Sequence, residues 1–228
     1  MKRAVLPELL DTLPPDDPRA ACSRRDLRRL NWLMRRAPIF SATLDARLER
    51  APRSIIEIGA GDGTLMLELA KENHVRWPNV HVMMVDRQKT VSPRTLAQFG
   101  ELGWPVEFVV ADVFDWLPDA PPTDAILANL FLHHFPDAKL AELFRLLAGR
   151  TDFFLACETR RDWPSWTVAR LLGLLGCNAV TRHDARVSMD AGFIGNELSA
   201  RWPVNGGWQF VEQRTVVFTH LFIAQRIV

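Results

Sequence analysis

Hydrophobic positions along this chain change their period repeatedly after residue 53. Short, dense apolar runs recur: "SIIEI" (54–58), "VHVMMV" (80–85), "VEFVV" (106–110), "DAILA" (124–128) and "FFLAC" (153–157). Runs this rich in apolar residues predict strands covered on both faces, as in a parallel sheet. Helical stripes lie between them. Leu65, Met66, Leu69 and Ala70 make one; Leu140, Leu143, Phe144 and Leu147 make another, with Asp137 as its expected N-cap and Gly149 as its stop. Such alternation predicts right-handed crossovers and a doubly wound α/β sheet. The rhythm breaks in "GWQFVEQ" (207–213) and "THLFIAQRI" (219–227). Their connection is too short for a parallel crossover, so they predict an antiparallel hairpin at the sheet edge.

Two further stretches read as helices. "SRRDLRRLNWLMRRAP" (23–38) has Ser23 and Asp26 at capping-box spacing, a stripe of Leu27, Leu30 and Met34, and Pro38 as its end. It is expected to lie over the sheet's edge or over the site. "SWTVARLLGLLGC" (165–177) carries one charge, Arg170, and predicts a helix that is buried, at an interface, or lining an apolar pocket.

Composition narrows the class. A chain of 228 residues suits one domain with a sizeable core. A net charge of +1 gives no global field toward nucleic acid or an anionic membrane. The arginines at 24, 25, 28, 29, 35 and 36 sit near acids at 8, 11, 16, 17 and 26, without an aromatic-rich strand. They are expected to form a solvated helix face, with no nucleic-acid partner. Cys22, Cys157 and Cys177 form no C-x-x-C pair, which fits a reducing cytosol; Cys157, in an apolar run, is expected to be buried and inert. No run approaches the ~20 apolar residues of a membrane span, and the first residues lack a signal-peptide core. Pro14, Pro15 and Pro18 among acids predict an extended start. A homodimer is compatible with this composition.

The residues that can carry chemistry gather at strand ends. "IIEIGAGDGT" puts Gly59, Gly61 and Gly63 between the first strand and the first helix. Glycines there let backbone approach a ligand, and the helix N-terminus favours an anion. The spacing is G-x-G-x-G; a dinucleotide loop would need Gly or Ala where Thr64 stands. In open α/β sheets the ligand lies beyond the carboxyl ends of the strands. Asp86, after the second strand, can accept both hydroxyls of a ribose. Asp112, after the third, can accept from an exocyclic amine or cap a turn. "NLFLHHF" (129–135) follows the fourth and sets His133 beside His134. Adjacent side chains diverge and no third ligand is spaced for a tetrahedral set, so no metal is expected. "CETRRD" sends Glu158, Arg160 and Arg161 from the fifth strand toward the same crevice, a solvated salt bridge being the alternative. Arg182, His183 and Asp184 cluster further on, where a histidine near carboxylates can take a phenolic proton or simply cap a helix.

With Glu57–Gly63, Asp86, Asp112–Val113 and "NLFLHHF" in register, the chain resembles class I S-adenosylmethionine-dependent methyltransferases over about residues 50–228. The likeness is to the small-molecule branch, of the ubiquinone, menaquinone and secondary-metabolism type. It implies a Rossmann-like, seven-stranded, mostly parallel sheet with the antiparallel C-terminal hairpin and an N-terminal helical cap. The implied layout is an extension and cap at 1–50 and a cofactor-binding domain at 51–228, with a substrate-covering insertion at about 159–206. Gly59, Ala60 and Gly61 would line the methionine part of S-adenosylmethionine, with Gly63 in the same loop and Glu57 bracing it. Asp86 would hold the ribose, with Arg87 beside the adenine; Asp112 and Val113 would read the adenine edge, and Asn129 and Leu130 would face the sulfonium.

Glu158, Arg160, Arg161 and Arg182 are then candidate acceptor contacts. Metal-dependent relatives carry an acid where Asn129 stands, which implies metal independence. The implied reaction is methyl transfer to a small, largely apolar acceptor, at a phenolic or enolic oxygen of a secondary metabolite or quinone precursor, in the cytoplasm. Carbon or nitrogen acceptors, an RNA or protein substrate, and a non-catalytic cofactor-binding protein stay open. His183 is the expected base, with His133 or His134 orienting cofactor or acceptor. The glycine spacing predicts that S-adenosylhomocysteine binds and NADH does not. Titration calorimetry with both ligands checks this, and NADH binding alone would overturn it.

Overall fold

The computed structural model describes residues 2–14, 16–34, 36–204, 207–215 and 219–227, with Asn31 and Trp32 described by backbone only. Pro15 and Arg35 of the sequence reading lie outside the described residues. Seven strands form one sheet in the order β3-β2-β1-β4-β5-β7-β6. They are β1 (Ser54–Ile58), β2 (His81–Asp86), β3 (Val106–Val110), β4 (Ala125–Asn129), β5 (Phe153–Thr159), β6 (Trp208–Arg214) and β7 (Thr219–Arg226). The first five are parallel; β7 runs antiparallel to β5, and β6 antiparallel to β7, as the short connection requires. The register sets Ile58 beside Val85 and Ala128, and Asn129 beside Cys157. The residues that follow each of these strands therefore emerge at one end of the sheet.

The helices are α1 (Leu9–Thr12), α2 (Pro18–Leu33), α3 (Arg36–Arg47), α4 (Thr64–Asn73), α5 (Pro93–Glu101), α6 (Val113–Trp116), α7 (Asp137–Ala148), α8 (Trp163–Leu171) and α9 (Ala179–Ala191). Successive strand residues point to opposite faces. Ile55 joins Phe40, Leu44, Met66 and Phe99 under α3, α4 and α5; Ile56 and Ile58 join Leu140, Phe144 and Trp202 under α7 and the segment after α9. Every residue of β5 is buried, which matches its unbroken apolar run.

Helices α1, α2 and α8 pack on α9 and form a cap. Asp26 accepts hydrogen bonds from Asn178 N (2.9 Å) and Thr181 Oγ1 (3.1 Å). Asp184 accepts from Leu9 N (2.8 Å) and Leu10 N (2.9 Å). The N-terminal extension and the segment after β5 are thus tied together by buried acids.

Five local expectations are corrected. The first long helix begins at Pro18, where a missing N–H costs nothing, so Ser23 and Asp26 lie inside it and do not form a capping box. Asp26 instead serves the start of α9. Pro38 ends no helix; it sits in the first turn of α3. Asp137 is the first residue of α7 and makes no cap bond; its carboxylate pairs with Arg3 (3.0 Å) and Arg201 (2.6 Å). Of the apolar stretch only 165–171 is helical, within α8, and Gly176 (φ +76°) closes a turn that leaves Leu174 and Leu175 exposed. Arg36, read as part of a solvated face, is buried. Gly149 does stop α7, and burial pushes the Cys157 thiol up to about 12.

Asp26→Ala removes the acceptor of the part-buried Asn178 N, while Thr181 Oγ1 keeps Ser23 Oγ and Asn178 Oδ1 within reach, and it is expected to cost about 1–2 kcal/mol of stability. Exposed Arg25→Ala should stay within about 0.5 kcal/mol. Denaturant titration of both variants checks the contrast.

Candidate functional site

The loop from β1 to α4 needs glycine for two reasons. Gly59, Gly61 and Gly63 have φ of +68°, +55° and +72°. A Cβ on Gly59 would also lie 2.1 Å from Phe131 Cδ2. Asp86 fastens the loop to the next strand: Oδ2 accepts from Gly61 N (2.9 Å) and Oδ1 from Gln88 N (2.9 Å). At the end of β4, Leu130 adopts φ +53°, a strained backbone for a branched side chain, while its N–H reaches Cys157 O (2.9 Å).

Three cavities meet around Leu130. One of about 440 Å³ is lined by Glu57, Gly59, Ala60, Gly61, Asp86, Arg87 and Asn129, with Asp62, Thr64 and the cap residues Leu10, Leu27 and Arg28 across the mouth. A second, of about 420 Å³, lies beyond Gly59 and Asp86 and is walled by Asp112, Val113, Phe131 and His134. A third, of about 110 Å³, is largely apolar and sits under the cap between Leu30, Met34, Leu172, Met189 and Arg36. Leu10 and Leu27 border both the first and the third.

Among the described residues, three buried oxygens of residues lining the first cavity have no hydrogen-bond partner, Glu57 Oε2, Asn129 Oδ1 and Thr90 Oγ1; the first two lie near the ends of β1 and β4. Burial, then the charges of Asp62 and Asp86, push the Glu57 carboxyl well above the usual range. Glu57 Oε2 and Asn129 Oδ1 suit an ammonium donor, which would supply the missing bonds and favour the ionised Glu57. Asp86 and Asp112 lie further along the same crevice, at the strand ends where a nucleoside fits. Asp112 also caps α6, accepting from Phe114 N (2.9 Å) through Oδ1. Gly63 lines neither of these cavities; it is the N-cap of α4, with Met84 Sδ 3.0 Å from where a Cβ would stand.

The adjacent histidines differ in charge. His133 is buried between two carboxylates, donating from Nδ1 to Glu158 Oε2 (2.7 Å) and from Nε2 to Glu8 Oε1 (3.3 Å). Burial opposes its charge, but the hydrogen bonds and charges of Glu158 and Glu8 prevail and raise it to about 9. His134 stacks on it, ring centroids 4.2 Å apart, and is lowered to about 4 by burial and then by the His133 charge. At neutral pH one ring is an imidazolium and the other is neutral. Glu8, His133 and His134 bring ligand-type atoms within 4.8 Å of one another. Both nitrogens of His133 already face carboxylates and its proton is tightly held, so a cation there competes with that proton.

The remaining candidates sit elsewhere. His183 lies midway along α9, its side chain 42% exposed and Nδ1 3.0 Å from Asp184 Oδ1, and it lines none of the three cavities. Asp184, packed against the apolar cavity, holds the N–H groups of α1. Arg161 is buried against Gly192 O and Glu197 (2.6 Å); Arg160 pairs with Asp162 (2.6 Å); Arg182 lies against Gly173. None of these arginines borders the cavities. Glu158 is a buried strut, its Oε1 accepting from Phe131 N (2.8 Å) and Leu132 N (2.7 Å). Sequence reasoning missed Glu8, Leu10, Arg28, Arg36 and Phe131. Arg28 closes the cap onto the glycine loop through Asp62 (2.7 Å). The missed cap residues reach the site by tertiary packing, which no local period encodes.

Residues 55–150 match the family described as "Methyltransferase domain". An uncharacterized methyltransferase of Mycobacterium tuberculosis is 32% identical over 103 residues, 45% of this chain and 48% of that one. A trans-aconitate 2-methyltransferase of Mycolicibacterium gilvum is 35% identical over 88 residues, 39% of this chain and 30% of that one. The chain spans about half the length, or less, of these curated relatives. Among solved structures, the plantazolicin methyltransferase BpumL in complex with SAH superimposes with a TM-score of 0.65 at 15% identity, covering 93% of this chain and 92% of that one. An O-methyltransferase family protein from Burkholderia thailandensis gives 0.62 at 18% identity, covering 93% and 61%.

The buried charge cluster predicts a pH signature. The folded pKa of His133, about 9, exceeds its ordinary 6.5, so its stabilisation is full below 6.5 and is lost as pH rises through 9. Glu8, lowered to about 2 from 4.5, stabilises above 4.5 and loses this as pH falls through 2. Thermal melts from pH 6 to 10 should show an alkaline decline in the wild type that is flattened in His133→Gln. Parallel curves would count against the imidazolium.

Proposed function

We propose that this chain, whose residues 55–150 belong to the methyltransferase-domain family within a class I methyltransferase fold, transfers a methyl group from S-adenosylmethionine to a small acceptor. The acceptor is largely apolar and reacts at a phenolic or enolic oxygen. The observation that carries this reading is the pair of unpartnered oxygens, Glu57 Oε2 and Asn129 Oδ1, in a crevice that adjoins an apolar cavity. When bound there, the cofactor supplies a methyl carbon on a positively charged sulfur, open to displacement by an acceptor oxygen.

The chain's own residues then divide the work. Glu57 and Asn129 take the ammonium group. Asp86, while holding Gly61 N, keeps lone pairs for the ribose hydroxyls, and Asp112 with the Val113 backbone takes the adenine edge. Neutral His134 stands on the adenine side, while charged His133 anchors Glu8. Leu10, Leu27 and Leu130 border both the first cavity and the apolar one, and the Arg28–Asp62 pair helps the cap exclude water. No histidine lines the apolar cavity. The rate therefore rests on alignment and water exclusion more than on a dedicated protein base. The small size of that cavity favours a small molecule over an RNA or protein side chain.

Release of S-adenosylhomocysteine is expected with phenolic or quinol acceptors; release with amines alone would overturn the oxygen assignment. Asp86→Ala and Asp112→Ala should each weaken S-adenosylhomocysteine binding by roughly 1–3 kcal/mol, the scale of losing hydrogen bonds to a charged group. Calorimetry reads both variants, and unchanged affinity in both would displace the cofactor from this crevice.

A further inference from the structure

Arg36 is 2% exposed and lines the apolar cavity under the cap. Among the described residues its Nε and Nη1 have no hydrogen-bond partner, and the guanidinium meets only sulfur, the Met34 thioether 3.7 Å from Nη2 and the Cys157 thiol. Burying a guanidinium without oxygen partners is costly. Burial lowers its pKa, yet a guanidinium stays charged in proteins.

The acids that could pair with it are engaged elsewhere. Glu158 accepts from Phe131 N, Leu132 N and His133. Glu8 holds His133 and the Ser188 hydroxyl. Asp184 holds Leu9 N, Leu10 N and His183. The Cys157 thiol beside Arg36 is kept neutral by burial. Arg36 and His133 balance Glu8 and Glu158, and Asp184 adds a further carboxylate to the cavity wall, so an incoming group is selected by the unmet donors of Arg36 and not by a net positive field.

We propose that Arg36 recognises an anionic oxygen group on the acceptor, a carboxylate or an ionised phenol or enol, in the cavity next to Leu130. This rests on the methyl-transfer reading only in treating that cavity as the acceptor's place. A planar guanidinium with no competing oxygen matches two oxygens of a carboxylate, or one oxyanion, better than a neutral amide or ether. The assignment also accounts for the lack of a histidine in the cavity. An acceptor that arrives ionised has no proton to lose. The new O–C bond forms as the S–C bond breaks, sulfur keeps the bonding pair, and the charges on oxygen and sulfur cancel. Where the reacting oxygen is the one bound, the methylated product has lost the charge that Arg36 held.

The test uses the full chain saturated with S-adenosylhomocysteine, titrated with benzoate and hexanoate and with their neutral counterparts benzamide and hexanamide. At least one carboxylate is expected to bind 10-fold or more tightly than its amide. Arg36→Met, which replaces the buried cation by an apolar chain of similar length, should lose about 30-fold of that carboxylate affinity, the scale of hydrogen bonds to a charged group. Its affinity for S-adenosylhomocysteine should not change. Arg36→Lys should recover part of the carboxylate affinity, and it serves as the second variant if Arg36→Met does not fold. Equal binding of acids and amides, no binding of either acid, or full retention in Arg36→Met overturns the proposal. Failure of S-adenosylhomocysteine itself to bind would instead overturn the cofactor reading. The carboxylate comparison, repeated without it, still decides the role of Arg36.

Discussion

The imidazolium of His133, clamped between Glu158 and Glu8, ties together segments far apart in sequence. Glu158 is the penultimate residue of β5 and uses its other oxygen to hold Phe131 N and Leu132 N. That fixes the turn after β4, and with it the Phe131 ring against Gly59. Glu8, held by the same imidazolium, takes the Ser188 hydroxyl and so brings in α9. One buried cation therefore positions the β4 turn, the packing of the glycine loop and the approach of the N-terminal extension. Removing it would leave two buried carboxylates facing each other, which costs more than the pair contributes when intact. The charge on His133 also sets the state of its neighbour: burial and that charge together keep His134 neutral beside the cavity walled by Asp112 and Val113.

The sheet was legible because its information is local. The five apolar runs and the short final connection dictate parallel strands and an antiparallel hairpin, and the structure has both. The glycine loop was legible for a related reason. Positive φ at Gly59, Gly61 and Gly63 is a requirement that few other residues meet. Strand-end residues such as Asp86, Asp112 and Asn129 were found because register alone carries them to one end of the sheet.

The cap was not legible, and the cause is specific. Asp26 looks like a partner for Ser23 at helix-start spacing, but its partners are Asn178 and Thr181, distant in sequence. Pro38 looks like a stop, yet the first turn of a helix has no use for the N–H that proline lacks. His183 looks like a base because arginine and aspartate flank it. On α9, however, that aspartate turns to the N–H groups of α1, while the histidine stays half in solvent. Arg36 looked like one more surface arginine in a basic run. Only the fold shows that its helix begins under the cap and drives the side chain inward.

Most of the site residues that could be read lie inside the family match, and most of those that could not lie outside it. Residues 55–150 contain the glycine loop, Asp86, Asp112, Asn129 and both adjacent histidines. Glu8, Leu27, Arg36, α8 and α9, which enclose the apolar cavity, all fall outside it. Residues at the strand ends hold positions that the register of the sheet enforces. Cap residues need only fill a volume and leave a chosen polar group unsatisfied, which many sequences can do. A cap of this kind can be rebuilt for a different acceptor while β1 to β4 stay as they are. The coupling between the two is the Glu8–His133–Glu158 cluster, through which the cap is anchored to the sheet.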